Sequence, residues 1–197
     1  MPKVVDHEQR REELAAAVWR LAAHEGLEAV TVRRVADEAG WSTGALVHYF
    51  SDKEELLLFA FRTVADRVGR RMAATEARTA DPLELARAML AEGLPLDRER
   101  QEEVRVWFAF LGLALTRPSL ARAQRVTYRS WRDRVAEHLR AAQRAGSIRP
   151  GADAAAEAAA LVALVDGIAV QASFEPRRFP AARQRELVDA RLDELRA

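Results

Sequence analysis

Apolar residues recur every three or four positions along almost the whole chain, the spacing that lines one face of an α-helix. Leu14, Ala17, Val18 and Leu21 set one such stripe on a first helix over residues 7–24, with Asp6 as candidate N-cap and Gly26 as stop. Leu27 and Val30 carry the chain back over that stripe. A short second helix opens at Thr31, whose hydroxyl can cap free backbone amides. It buries Val32, Val35, Ala36 and Ala39 and ends at Gly40, which tolerates a left-handed backbone. Ser42 caps a third helix, where Leu46 and Phe50 lie one turn apart and face inward. Ser51-Asp52-Lys53-Glu54 reads as a capping box, serine at the cap and glutamate three residues on. It launches a long helix through Leu56, Leu57, Ala60, Val64 and Val68 to about residue 79.

Pro82, after Asp81, stands at the first position of the next helix, which Gly93 and Pro95 end. Further helices are expected over about 99–115, 118–146, 153–174 and 181–195, with Arg149-Pro150-Gly151, Pro176 and Pro180 between them. No stretch alternates with the two-residue period of a strand. The expectation is therefore an all-α fold of about nine helices.

Composition narrows the class. The 197 residues are 49% hydrophobic and 31% charged, the balance of a globular chain. The absence of cysteine excludes disulfides, thiolate zinc sites and cysteine nucleophiles. His7, His24, His48 and His138 fall into no metal-binding spacing, and no phosphate loop, dinucleotide fingerprint or nucleophile elbow is present. An enzyme is thus not expected, nor a metal or a cofactor. No signal-peptide core opens the chain. The longest apolar run, 158–172, is interrupted by Asp166 and Gly167, so no bilayer-spanning helix is expected. A cytoplasmic location without a membrane partner follows as an expectation. The formal net charge is +1, and residues 1–53 carry more acidic than basic side chains. Bulk charge therefore does not announce a nucleic acid, and any such case rests on where the cations sit.

Residues 31–53 supply that placement. Two short helices joined at a tight glycine turn, with Ala36 as the small contact, form a helix-turn-helix. The second of the two projects its N-terminal residues into the major groove of DNA. With Leu46 and Phe50 inward, Thr43, Gly44, Ala45, Val47, His48 and Tyr49 stay on or near the outer side. Lys53 and Lys3 are the only lysines in an arginine-rich chain, and Lys53 stands in the first turn of a helix. A cation there opposes the helix dipole unless an anion docks beside it, which marks Lys53 as a candidate phosphate clamp.

The ordered set Thr31-Val32-Arg33-Arg34-Val35-Ala36, Ala39-Gly40-Trp41-Ser42-Thr43-Gly44, His48-Tyr49-Phe50 and Lys53 resembles the signature of the tetracycline-repressor (TetR) family of transcription regulators. Ser42-Thr43-Gly44 with His48-Tyr49-Phe50, and Asp166-Gly167 through Phe174-Glu175-Pro176 with Arg183-Gln184, resemble its betaine-regulator branch. The resemblance implies a DNA-binding domain over 8–66 and a ligand-binding and dimerisation domain over 67–197. It implies a cytoplasmic homodimeric transcription regulator, a repressor rather than an activator by family habit, that binds a palindromic double-stranded operator and is released by a small-molecule effector. Its DNA contacts would come from Thr31, Arg33, Ser42, Thr43, Gly44, Ala45, His48, Tyr49 and Lys53, with Thr31, Tyr49 and Lys53 on phosphates and Thr43, Ala45 and His48 nearest the bases. Arg33 and Arg34 fit either phosphate contacts or a solvated helix face. Two positions depart from the pattern: Trp41 replaces a small aliphatic residue, and Val47 replaces a tyrosine that contacts phosphate. The alternative to a regulator is a helical ligand-binding or protein-interaction module whose DNA head is degenerate.

The remainder carries no motif of that strength. Met72, Met89, Trp107, Phe108, Tyr128, Trp131 and Gln171 are the candidate pocket residues, although an aromatic stripe in a helical protein is core more often than cage. Residues 158–172 are apolar nearly all round, and Leu187, Val188, Leu192 and Leu195 stripe the last helix. Leu161, Leu164, Val165, Ile168, Leu187 and Leu192 are therefore the expected dimer interface, a four-helix bundle built from two subunits. Asp166 is either a pocket anchor or an interface group.

Overall fold

The computed structural model describes residues 7–197, with side chains at residue 10 and from residue 12 onward. Among these it contains nine α-helices: α1 His7–Glu25, α2 Val32–Ala39, α3 Thr43–Val47, α4 Lys53–Glu76, α5 Pro82–Ala91, α6 Arg98–Ala114, α7 Pro118–Arg144, α8 Ala154–Phe174 and α9 Ala181–Asp193. A single 3-10 turn, Leu27–Ala29, follows α1, and one isolated bridge joins Ile148 to Arg196. The all-α expectation holds. The proposed cap Asp6 lies outside the described residues.

Local chemistry explains the ends. Thr31 Oγ1 accepts from the Arg34 amide at 3.3 Å, and Ser42 Oγ accepts from the Ala45 amide at 3.2 Å. Gly40 adopts φ 71°. Its amide donates to the Asp37 carbonyl and that of Trp41 to the Ala36 carbonyl, the paired bonds of a Schellman stop. The capping box of α4 is displaced by one residue from the expected frame. Asp52, not Ser51, is the cap, its Oδ1 accepting from the Glu55 amide at 2.8 Å. Glu55, not Glu54, reaches back, accepting from the Ser51 amide at 2.8 Å and the Ser51 hydroxyl at 2.9 Å. Glu54 instead accepts a hydrogen bond from the Ser119 hydroxyl. Aspartate caps as well as serine does, so composition alone leaves the frame open by one residue.

The chain falls into two compact units. The first comprises Met1–Asp66 and Arg105–Ala123, so residues 105–123 join the segment 8–66 marked out by the helix-turn-helix motif. Leu14, Ala17, Val18, Val35, Ala36, Leu46, Leu56 and Leu57 are its inner core, almost wholly withdrawn from solvent. Aromatic stacking recruits the added stretch: Phe61 lies on Phe110 at 3.9 Å between centroids and on Trp107 at 5.4 Å.

The second unit comprises Arg67–Val104 and Gln124–Ala197. Met89, Leu90, Leu94, Val135, Leu139, Leu161, Val165, Ile168 and Leu192 form its core. This corrects the interface expectation at Leu161, Val165, Ile168 and Leu192, but not at Leu164 and Leu187. Leu161, Val165 and Leu192 are 0% exposed and Ile168 3%, all used within the protomer, while Leu164 and Leu187 are half-buried against the same core. A side chain already buried in its own subunit has no surface to offer a second. The expectation that no helix could span a bilayer also changes. By length and composition α8 passes, with mean hydropathy 1.6 over its best window, and it alone does so among the described residues. Its buried face of Leu161, Val165 and Ile168 serves the core of the second unit.

Gly93 has a steric reason to be glycine. A Cβ there would stand 2.6 Å from the Trp131 ring and 2.7 Å from Val165 Cγ1. Gly93→Ala is expected to destabilise the chain by ~1–3 kcal/mol through overpacking, lowering Tm by about 2–12 °C. Gly112→Ala, where nothing lies within 4 Å of the added carbon, is the control. Equal melting temperatures for the two variants in a circular-dichroism melt would contradict the packing described.

Candidate nucleic-acid interface

The outward side of the helix-turn-helix is built from α2 and α3. Val35, Ala36 and Leu46 seal them to the core, and Phe50 follows. That leaves Arg33, Ser42, Thr43, Gly44, Ala45, Val47 and His48 exposed, with Thr31 half-buried at the start of α2. The two capping hydroxyls use their oxygens as acceptors, so Thr31 and Ser42 each keep an O–H to donate outward. Gly44 is informative for what it lacks. A Cβ there would meet nothing within 4 Å, so no packing within the chain demands glycine. Glycine inside a helix costs roughly 0.5–1 kcal/mol relative to alanine, and close approach of an external surface is the remaining use for its small size.

The cations separate by partner. Arg34 pairs with Glu25 at 2.6 Å and Arg20 with Glu38 at 2.5 Å, spending their charge on helix-to-helix ties. Arg33 and Lys53 are exposed and have no ion-pair partner among the described residues. At the start of α4 the Glu55 amide is already occupied by Asp52. An anion there would therefore be held mainly by the Lys53 ammonium.

Two features escaped sequence reasoning. Trp41, the unusual turn residue, meets Tyr49 edge-on at 5.6 Å, so Tyr49 is half-buried against the core rather than free. The guanidinium of Arg10 lies 5.3 Å above the Trp41 ring, which brings an α1 cation to the turn of the motif. A tryptophan in place of a small turn residue was the available signal. Val47, 56% exposed, presents an apolar surface of the kind that meets a thymine methyl group.

The candidate pocket residues divide. Met89, Tyr128 and Trp131 lie in the second unit, where the Trp131 indole N–H donates to the Met89 carbonyl at 3.3 Å. The Tyr128 hydroxyl donates to Asp166 Oδ2 at 2.5 Å. Met72 is buried in the same core. Trp107 and Phe108 belong to the first unit, Trp107 packed on Phe61. Gln171 is exposed, and its side-chain amide donates to the Gly167 carbonyl of its own helix at 3.4 Å, so it lines no enclosed pocket. Asp166 is thus tied to Tyr128. Burial pushes its carboxyl above the ordinary carboxylate range, and the tyrosine hydrogen bond pulls the other way.

Comparison with known proteins bears on both halves. Residues 14–59 match the family described as bacterial regulatory proteins, tetR family. Residues 82–197 match the C-terminal domain of BetI-type transcriptional repressors. The HTH-type transcriptional regulator PksA of Bacillus subtilis is 37% identical over 178 residues, covering 90% of this chain and 85% of that one. The regulator BetI 1 of Chromohalobacter salexigens is 29% identical, covering 95% and 90%. Among solved structures, a transcriptional regulator from Rhodococcus sp. Rha1 superposes with TM-score 0.80 at 37% identity, covering 94% of this chain and 95% of that one. A regulator from Saccharomonospora viridis in complex with choline gives TM-score 0.83 at 25% identity, covering 93% and 95%.

Proposed function

The chain belongs to the tetR family of bacterial regulatory proteins, and from that membership we propose that it grips a palindromic operator as a homodimer and releases it when a small-molecule effector binds. It is a transcriptional regulator with a helix-turn-helix, not an enzyme. The observation that carries the proposal is the outward presentation of residues 42–45, capped by Ser42, with the exposed Lys53 at the next helix start. The helix-turn-helix within residues 8–66 holds the DNA, and the second unit holds the effector. Phosphates fall to Thr31, Arg33, Tyr49 and Lys53, and bases to Thr43, Ala45 and His48. Each subunit offers one recognition helix, α3, and two subunits address major grooves about 34–36 Å apart.

The second copy docks on the outer face of α8. Ala156, Ala160, Ala163, Gly167, Val170 and Phe174 recur there at helical spacing and are exposed, Phe174 at 84%. Small residues let two helices approach closely, and Phe174 closes the end of the stripe. Burial of that stripe against a partner, rather than in lipid, keeps the protein in the cytoplasm with its operator.

A fluorescence-polarisation titration with duplex DNA from upstream of the chain's own gene tests the reading. Two chains should bind one duplex. Lys53→Ala should weaken operator and scrambled DNA by a similar factor, whereas Thr43→Val should shift preference between sequences by ~1–3 kcal/mol. No binding to either duplex at low salt would leave only a helical ligand-binding module.

A further inference from the structure

Gln124, Tyr128, Trp131 and Val135 follow one another on α7 at spacings that put them on one face of the helix. Three of them account for their surroundings. Val135 is a fully buried apolar side chain, Trp131 donates to Met89, and Tyr128 donates to Asp166. Gln124 does not. It is only 5% exposed, and both its amide nitrogen and its carbonyl oxygen are buried without a hydrogen-bond partner. A buried donor and acceptor left unmet together are a standing penalty on the fold, and such pairs are rare without a use.

We propose that Gln124 is the polar anchor of the effector site, and that it takes an uncharged ligand whose head offers a donor and an acceptor side by side, as a carboxamide does, with an aromatic or apolar body along Tyr128 and Trp131. This rests on the effector-sensing reading above and names the chemistry of its ligand. A carboxamide paired head to head meets both atoms of Gln124 at once. A carboxylate can meet only the nitrogen, an ammonium only the oxygen, and the methylated head of a quaternary ammonium neither. The surrounding charge agrees. The guanidinium of Arg132 already stands 5.9 Å from the Tyr128 ring, occupying aromatic surface that a cationic ligand would use. Asp166 Oδ2 already accepts from the Tyr128 hydroxyl, so that oxygen is taken up within the chain.

The test titrates three probes into the full-length protein, read by tryptophan fluorescence: phenylacetamide, phenylacetate and choline. Phenylacetamide should bind at millimolar concentration, at least about tenfold tighter than the other two, and lose that advantage in Gln124→Leu. The same variant should melt about 2–8 °C higher, since leucine fills the space without unmet polar atoms. A lowered Tm would mean that Gln124 has a structural partner, and would overturn the proposal. So would the absence of phenylacetamide binding, equal binding by Gln124→Leu, or tighter binding of choline. Operator titration without probes separates the two levels. Failure there removes the regulator reading itself, whereas operator binding with any of these probe failures removes the ligand assignment alone.

Discussion

Operator affinity will fall roughly 150-fold when salt is raised from about 50 to about 200 mM. Two cations per protomer, Arg33 and Lys53, stand exposed on the reading side without an ion-pair partner among the described residues. A dimer brings four to the phosphates. Each neutralised phosphate releases bound counterions, giving log K against log salt a slope of about −3.6. Arg34 and Arg20 are excluded, because Glu25 and Glu38 already neutralise them and little net charge is left for DNA. Lys53→Ala removes two of the four, so the slope should halve to about −1.8 and the same change of salt should cost only about 12-fold. Polarisation titrations at several salt concentrations read both slopes. A wild-type slope near zero would remove the phosphate clamp, and an unchanged slope in the variant would move it away from Lys53.

Arg71→Ala will destabilise the protein by ~3–5 kcal/mol, the cost of leaving buried carboxylates without their cation. Arg71 on α4 is the hub of a network in the second unit. Its Nε donates to Glu92 at 2.8 Å, and one terminal nitrogen donates to Glu103 at 2.7 Å and to Glu99 at 3.3 Å. The other terminal nitrogen also donates to Glu103, making that pair two-pronged. The side chains of Glu92 and Glu103 are only 8% and 4% exposed. Glu92 keeps a second partner in Arg100 at 2.7 Å, but Glu103 has no other cation among its ion pairs. In a chain of this size the loss corresponds to a fall in Tm of about 6–20 °C. Adding Glu103→Leu to Arg71→Ala should recover part of it, since an apolar side chain does not need the missing cation. Thermal unfolding of the three proteins decides. A double variant no more stable than Arg71→Ala would show that packing by the arginine stem, not its charge, is what matters.

The same network shows what a single sequence hides. Arg71 on α4, Glu92 at the end of α5, and Glu99 and Glu103 on α6 follow no motif, so nothing local marks the arginine and its carboxylates as partners. The helix-turn-helix is the opposite case. The caps at Thr31 and Ser42, the left-handed Gly40 and the inward Leu46 each act within about four residues, and their spacing was enough to place them. The cap of α4 shows the limit of such reading, since Ser51 and Asp52 are both good caps and only the folded chain selects Asp52.

Sequence alone determined the all-helical class, the start and stop of most helices, and which residues of the helix-turn-helix stay exposed, because helical period, capping and tight turns are short-range effects written in adjacent residues. Tertiary structure decided what depends on orientation. Residues 158–172 are apolar on nearly every side, so their pattern has little phase, and only packing shows that Leu161, Val165 and Ile168 turn inward while Ala163, Val170 and Phe174 turn out. Likewise only the fold assigns Trp107 to Phe61, spends Arg34 on Glu25, and leaves the carboxamide of Gln124 buried and unmet. A side chain's neighbours across helices are set by long-range contacts, and no local spacing encodes them.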